Sequence, residues 1–448
     1  MTPDPAIMKA VEKLNYRVTV GDVAATAGLD LQYAERGLLA LASDAGGHLQ
    51  VAESGDIAYL FPKDFQGILR NKYLRLKFQE WWQKVWRVLF YLIRISFGLL
   101  LLISIVLIFV TIAIIVISTN SDRDGNSSGG RRSSGGGGFI FRPGFWFWFG
   151  PDWFSPFYWG YYDRPYYSRR QQQTASPQEK ENQMNFLEAV FSFLFGDGNP
   201  NYNLEERRWQ EIAAIIKNNK GTAVAEQIAP YLDDLGNSSQ QENEEYMLPV
   251  LTRFNGRPEV SPDGQIVYHF PELQTTAKES QIQPVSPYLK EQRWRFSEAS
   301  SGQLMLAAGL GAVNLVGALM LGSLLSDPQV ALKIGGLVAF VDAIYPLLLA
   351  YGVGFLVVPL VRYFWVQWRN QKVENRNEKR EMRAVALNEA DRELQNKIAY
   401  ARQFAMEKVI DGEDLAYSTE RELLEQEAEQ TDKIDAEWQR RLDSSSDF

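Results

Sequence analysis

The chain has 448 residues with 46 basic and 55 acidic side chains, and its net charge of −9 does not favour nucleic acid as a partner. It has no cysteine and only two histidines, which excludes disulfides and leaves a zinc site or a cysteine-ligated iron–sulfur cluster without its usual ligands. The length gives room for about two or three domains, and the first residues lack the pattern of a cleavable signal peptide.

One segment occurs twice, at a constant offset. Residues 51–62 read VAESGDIAYLFP and residues 260–271 read VSPDGQIVYHFP. Each copy has two alternating stretches around a glycine-containing turn, which predicts a β-hairpin, and each follows helical patterns. The order of three helices and a hairpin is that of a winged helix. It predicts a winged-helix-like module over 1–65 and an amphipathic helix plus a second module over 185–275.

Winged helices usually bind DNA through a basic third helix and wing. In residues 1–66, acidic side chains outnumber basic ones by nine to five, and both the third helix and the wing carry acidic residues. A surface that neutralises several phosphates does not have this pattern. The modules are therefore predicted to bind proteins, with a purely structural packing role as the alternative.

The next segment is predicted to approach the membrane. Residues 66–94 form a basic amphipathic juxtamembrane helix, in which Trp81, Trp82 and Trp86 alternate with basic side chains, as is typical of an anionic headgroup surface. An uncharged stretch follows and predicts transmembrane helix 1 at 95–118.

Residues 119–138 are a predicted Gly/Ser linker, and residues 139–167 contain 16 aromatics among 29 residues. We interpret this aromatic segment as an interfacial anchor, with a docking surface for a membrane protein or an apolar cofactor as the alternative. The candidate interface or partner residues in it are Trp146, Trp148, Trp153 and Trp159.

The second apolar stretch is divided near Pro328. It predicts transmembrane helix 2 at 302–325 and helix 3, which could be broken, at 330–365. Basic residues precede the first span and follow the last, so both ends are expected on the cytoplasmic or stromal face, which requires an even number of crossings. Since three spans are predicted, either 330–365 crosses twice with a break near Pro346 or one segment is re-entrant. A charged helical tail is predicted over 366–443.

No catalytic, cofactor-binding or metal-binding motif is found, and the protein is predicted not to be an enzyme. Asn314 and Asp342 are the polar residues predicted inside the membrane. A carboxylate in lipid suggests ion or proton handling. The alternative is a hydrogen bond from Asp342 to Asn314, to Tyr345 or to the backbone near Pro346.

The duplicated modules, the tryptophan-rich juxtamembrane stretch, the sequence GRPEVSPDGQIVYHFPEL and the tail ERELLEQEAEQTDKIDAEWQRRL resemble a membrane-protein family of cyanobacteria and plant plastids. The resemblance implies a thylakoid or plasma membrane of a cyanobacterium, or a plastid membrane. Plant members are sometimes labelled iron–sulfur cluster biosynthesis proteins. The absence of cysteine does not fit direct cluster ligation by this chain.

These observations predict a mainly α membrane protein with two small α+β winged-helix-like modules and a helical C-terminal tail. The predicted function is a non-catalytic scaffold or assembly factor that binds partner proteins at a photosynthetic or other membrane complex, without nucleic acid. A homo-oligomer is compatible with the sequence. The alternatives are a membrane-tethered winged-helix transcription regulator and a small transporter or ion-handling bundle that uses Asp342.

Overall fold

The computed structural model describes residues 4–72, 74–124, 184–279, 281–411 and 415–422, with single positions at 426, 431, 435 and 438. The protein is mostly helical, with small sheets and three long apolar helices. It forms two compact units. The α/β unit comprises Met1–Lys84, Asn199–Arg293 and Asn370–Phe448, and the bundle unit comprises Val85–Gly198 and Trp294–Arg369.

Local capping signals set the helices of the first copy of the repeat. Asp4 accepts a hydrogen bond (2.7 Å) from a backbone N–H of the first helical turn. Thr19 and Asp22 cap each other's backbone N–H groups at the start of the second helix. Gly28 and Gly46 end the second and third helices with φ of 65° and 68°, which glycine adopts without strain. The elements are α1 (Pro5–Lys13), β1 (Arg17–Thr19), α2 (Val20–Ala27), α3 (Leu31–Ala45), β2 (His48–Ala52) and β3 (Ile57–Leu60).

The helices α4 (Phe65–Lys72) and α5 (Leu74–Asp124) follow. The last part of the predicted juxtamembrane helix and the whole first transmembrane helix are continuous in α5, which extends into the predicted 119–138 linker. The rest of that linker and the aromatic segment 139–167 lie outside the described residues. The chain is described again at Met184, just before α6 (Phe186–Phe195).

The second copy repeats the strand register of the first. His48 lies opposite Leu60 in the first hairpin, and Arg257 lies opposite His269 in the second, so both pairs keep the offset seen in the sequence. The elements are α7 (Leu204–Asn218), β4 (Thr222–Ala223), α8 (Ala225–Ile228), α9 (Ser238–Glu242), α10 (Leu248–Phe254), β5 (Arg257–Val260), β6 (Ile266–His269), α11 (Pro271–Gln274) and β7 (Thr275–Thr276).

The bundle unit contains the apolar helices. After the second copy come α12 (Ser301–Leu324), α13 (Pro328–Ile334) and α14 (Gly336–Asn388). α5, α12 and α14 are long and apolar enough to cross a membrane, with mean hydropathies of 3.5, 2.1 and 2.1 in their most apolar windows. α14 is continuous through Pro346 and Pro359, so the chain does not turn back at Pro346 and 330–365 does not cross twice.

α5 and α12 run in the same direction, and α14 runs against both. Buried residues of the three helices meet at two levels, which are Leu101, Ala307 and Phe355 at one level and Ile108, Ala318 and Val341 at the next. Along the bundle, the residue numbers thus rise in α5 and α12 and fall in α14. The bundle therefore has two parallel helices and a third that is antiparallel to them.

α6 packs on the apolar helices of the bundle, where Val190 and Phe193 join the first of those buried levels. The amphipathic helix predicted ahead of the second module thus packs within the bundle unit. The Met184 carbonyl accepts a hydrogen bond (2.6 Å) from Gln303 at the start of α12, and Met184 Sδ lies 3.9 Å from the Arg94 guanidinium. Since Arg94 lies about 45 Å along α5 from Asp124, Met184 is far from the C-terminal end of that helix.

The tail is not helical throughout, which corrects the prediction for 366–443. The last part of α14 is followed by α15 (Arg392–Ala401), a short 3₁₀ turn and two strands, β8 (Lys408–Val409) and β9 (Leu415–Ser418). β8 pairs in parallel with β7, and β9 extends the first sheet to the order β1-β3-β2-β9. The unpaired edge of β2 offers this segment backbone partners, and that long-range pairing outweighs its helix propensity.

Candidate functional site

The two copies of the repeat meet through α2 and α7, which are in the same unit. The small residues of α2 allow the backbone of the second copy to come close, since a Cβ at Gly21 would collide with the Glu272 carbonyl and one at Gly28 with the Glu206 carbonyl. Arg253 of α10 donates a hydrogen bond to the Gly28 carbonyl (2.6 Å) and stacks on the Trp209 ring at 4.4 Å.

A buried ion pair lies at the centre of this junction. Lys217 Nζ of α7 lies 2.5 Å from Asp22 Oδ1 of α2, and both side chains are less than a tenth exposed. Asp22 also accepts hydrogen bonds from the Thr276 hydroxyl (3.0 Å) and the Ala277 backbone N–H (2.9 Å). Burial would raise the pKa of Asp22, but the Lys217 charge and the hydrogen bonds from Lys217 and from the Ala277 and Thr19 N–H groups outweigh it and lower that pKa below its usual value.

The tail is bound to the same junction by Arg17 of β1. Its Nη1 donates to the carbonyls of Ala277 (2.7 Å) and Ile410 (2.8 Å), and its Nε donates to Gln50 (2.9 Å). The Ile410 N–H in turn donates to the Thr276 carbonyl (3.0 Å). One side chain of the first copy therefore joins the segment after the second copy and the tail.

A second polar network joins the charged part of α14 to the second copy. Arg380, only 1% exposed, forms ion pairs with Asp233 and with Glu291 (2.9 Å) and donates to the Leu289 carbonyl (2.8 Å). Arg376 makes two hydrogen bonds with Glu291, at 2.7 and 2.6 Å. Burial would raise the pKa of Glu291, and the two guanidinium groups instead lower it.

The tail also forms a cleft with the second copy. Lys397 of α15 is buried between Glu226 (2.8 Å) and Glu244 (2.5 Å). Burial would lower the pKa of Lys397, but these two carboxylates raise it. The cleft has a volume of about 530 Å³, and its other acidic lining residues are Glu242, Glu389, Asp391 and Glu393. In the part of the chain that the structure describes, no group of three His, Cys, Asp or Glu side chains is placed to hold a metal ion.

The structure does not bring the two predicted intramembrane polar residues together. Asn314 is fully buried in the bundle and accepts a hydrogen bond (2.8 Å) from Ser104 of α5, while its Nδ2 has no hydrogen-bond partner. Asp342 is exposed on α14. Of the three partners considered for Asp342, Asn314 is not one, since it bonds to Ser104.

The tryptophans predicted at the membrane interface are exposed on α5. Trp81, Trp82 and Trp86 are each about half exposed, and Trp81 and Trp82 form an aromatic group with Phe78. This exposure fits an interfacial or partner-binding role. The other four candidates, Trp146, Trp148, Trp153 and Trp159, lie outside the described residues.

Sequence reasoning missed the residues that join the modules. Asp22 stands out in the sequence as a helix cap, but nothing local indicates that it also binds Lys217. Arg380 and Lys397 appear in the sequence as members of an ordinary charged helical surface. Such pairs link positions more than 140 residues apart, so neither periodicity nor motif spacing reveals them.

Comparison with known proteins gives one clear relative. No protein-family model and no solved structure matches the chain. It is 38% identical over 447 residues to a protein of Arabidopsis thaliana named "Uncharacterized protein At5g03900, chloroplastic", and the match covers 97% of this chain and 81% of that protein. The name assigns the plant protein to the chloroplast. The three long apolar helices of this chain are compatible with a plastid membrane.

Proposed function

This chain belongs to the family of the chloroplastic Arabidopsis protein At5g03900, and we propose that it is a non-catalytic scaffold or assembly factor of a photosynthetic membrane. In this proposal the two α/β modules and the tail form one partner-binding platform anchored by the bundle. The chain has no cysteine, so its part in assembly is through protein contacts and not through ligation of an iron–sulfur cluster.

The observation that carries the proposal is the buried junction between the modules. Asp22 and Lys217 neutralise each other, and Arg17 and Arg380 bind backbone carbonyls and carboxylates of neighbouring segments. These buried polar groups are used to hold the modules and the tail in a fixed arrangement. A scaffold needs such an arrangement, because preorganised surfaces bind partners at a lower entropic cost.

We propose that the first module binds a protein through its third helix. In the first copy, three helices precede the hairpin, as in a winged helix, and the third helix is α3. Its outward side chains include Glu35 and Arg36, together with Tyr33 and Leu39, which are 51% and 45% exposed. A face that mixes apolar side chains with both signs of charge suits a protein partner better than a phosphate backbone.

We further infer that both modules and the tail face the stroma or cytoplasm. Both copies belong to one compact unit, so they share one side of the membrane. In this proposal the basic residues of 68–87 and those along the end of α14 lie on the inner side, as the positive-inside rule expects.

The test is purification of the tagged full chain from native membranes in mild detergent, with mass spectrometry of the retained proteins. Stoichiometric subunits of one membrane complex are expected with the wild type. Leu39→Lys on α3 should lose them, whereas Ile282→Lys, at a position 85% exposed outside the repeat helices, should retain them. A wild-type chain that purifies without any protein partner would overturn the proposal.

A further inference from the structure

The outer edge of β2 has a chemistry that its counterpart in the second copy lacks. The Leu49 N–H donates to the Thr419 hydroxyl (2.9 Å), and the Leu49 carbonyl accepts from the Thr419 N–H (2.9 Å). The equivalent residue in the second hairpin, at the offset of the repeat, is Pro258. Proline has no N–H, so the edge of β5 cannot offer the same pair of backbone groups.

The two edges also differ in occupancy. β9, from the tail, covers β2, whereas in the described ranges no strand lies on the outer side of β5. Exposed strand edges invite pairing with other chains, and proline is one of the means by which proteins prevent it. The second copy thus has an edge blocked by its own sequence, and the first has an edge capable of strand pairing that the tail fills.

The strand β9 is seated on this edge over a short and irregular stretch. The register shifts between Val51 and Ala52, so the pairing is irregular over a strand of only four residues. Tyr417 is 37% exposed, and Leu415 packs against a small buried cluster that contains Ala52. At Leu49 the outward N–H binds a hydroxyl and not a backbone carbonyl. A short, irregular strand with a part-exposed aromatic side chain is one that a competing extended segment can replace.

We propose that the outer edge of β2 is a strand-addition site, which β9 occupies within the chain and which an extended segment of a partner protein occupies in its place. The seated strand indicates what fits: an apolar residue opposite Ala52, an aromatic residue opposite Val51, and a hydroxyl residue that reaches Leu49. The backbone supplies affinity and these side chains supply selectivity. The existence of a partner rests on the proposed function, whereas the ability of the β2 edge to pair with a strand does not depend on it.

The test uses the full-length protein in detergent and a fluorescent peptide of residues 411–422 as the probe. In the full chain, Tyr417→Pro removes the N–H opposite Val51 and releases β9. Because the wild-type edge is occupied, the peptide should bind the Tyr417→Pro chain about tenfold more tightly than the wild type. Peptides with Tyr417→Pro or Thr419→Val should bind more weakly, and Leu49→Pro in the released chain should abolish binding.

Two results would overturn the proposal. One is equal binding to the wild type and the Tyr417→Pro chain, or no binding to a Tyr417→Pro chain that melts like the wild type. The other is co-purification of two differently tagged wild-type copies that depends on Tyr417, which would assign the edge to a second copy. The peptide assay needs no partner, so its failure is distinct from a failure to find partners in the purification.

Discussion

Lys217 and Asp22 lie 195 residues apart in the sequence and form the buried contact at which the two copies of the repeat meet. Lys217 belongs to α7 of the second copy and Asp22 to α2 of the first, so the ion pair connects the two modules. A buried ion pair contributes modestly when intact, but loss of one partner leaves a charge in a low-dielectric setting. The junction is therefore stable only while both charges are present.

We expect Lys217→Met to open this junction. The methionine keeps the apolar stem but leaves the Asp22 carboxylate without its cation, and breaking a buried pair in this way costs about 3–5 kcal/mol. The thermal midpoint of the full chain in detergent should fall and protease cleavage between the modules should rise. Lys13→Met, at an exposed position of α1, is the control and should leave both unchanged. An unchanged midpoint with Lys217→Met would contradict the assigned role.

The junction should also weaken in acid. The pKa of Asp22 is lower in the folded protein than in the unfolded chain, since Lys217 and the hydrogen-bond donors outweigh the effect of burial. A lowered folded-state pKa contributes stability that is present above the unfolded value, about 3.9, and is lost as the pH falls through the folded value. The free energy of unfolding should therefore decline more steeply below about pH 4 in the wild type than in Asp22→Asn. Parallel declines in the two proteins would exclude this contribution.

In the bundle, Ser104 and Asn314 should matter more than Asp342. Ser104→Ala removes the hydroxyl that donates to Oδ1 of the fully buried Asn314 and leaves that oxygen, like Nδ2 already, without a partner. Hydrogen bonds between membrane helices are worth about 0.6 kcal/mol on average and up to about 1.7. We expect Ser104→Ala to lower bundle stability by about 1 kcal/mol, measured by unfolding in mixed detergents. Asp342→Asn, at an exposed position, should have a smaller effect. The reverse order would return Asp342 to consideration as a functional group.

The repeat was the part of the fold that the sequence predicted best. Gly55 and Gly264 have the same φ of 83°, and the strands beside them keep the same register. Turn conformation depends on the local sequence, and that local sequence occurs in both copies. The strands of the tail could not be predicted in this way. Leu415 and its neighbours form β9 because β2 offers an open edge more than 360 residues away, and no local pattern carries that information.

The number of membrane crossings was also left unresolved by the sequence, for a similar reason. Hydropathy identifies spans one at a time, and it does not tell whether α5 and α12 run in the same direction. Two interhelical contacts decide this, since Ser104 meets Asn314 and Ile108 packs near Gly317 further along both helices. The relative direction of these two helices is therefore set by contacts that no hydropathy pattern shows.

Pro258 should protect the second edge from self-association. Pro258→Leu restores the N–H that Leu49 supplies in the first copy, and two such edges can then pair between molecules. We expect a concentration-dependent increase in particle size by light scattering. Asp263→Leu, in the adjacent exposed turn, adds the same apolar side chain without a new backbone donor and is the control. If both variants associate equally, apolar exposure and not strand pairing is the cause.

The membrane topology can be mapped with single cysteines, because the natural chain has none. Ser54 and Ser239 are exposed residues of the two copies in the α/β unit, and Ser326 is exposed between α12 and α14. In sealed vesicles, a membrane-impermeant maleimide should label Ser54→Cys and Ser239→Cys from one side and Ser326→Cys only from the other.

This pattern follows from the chain directions. Within the bundle unit, α12 runs from Ser301 to Leu324 and α14 returns antiparallel to it, so Ser326 lies at the opposite end of the bundle from Ser301. Labelling after detergent permeabilisation controls for accessibility of each cysteine. Labelling of Ser54→Cys and Ser239→Cys from opposite sides would contradict the shared face. It would also separate Lys217 from Asp22 across the bilayer, which the 2.5 Å contact between them does not allow.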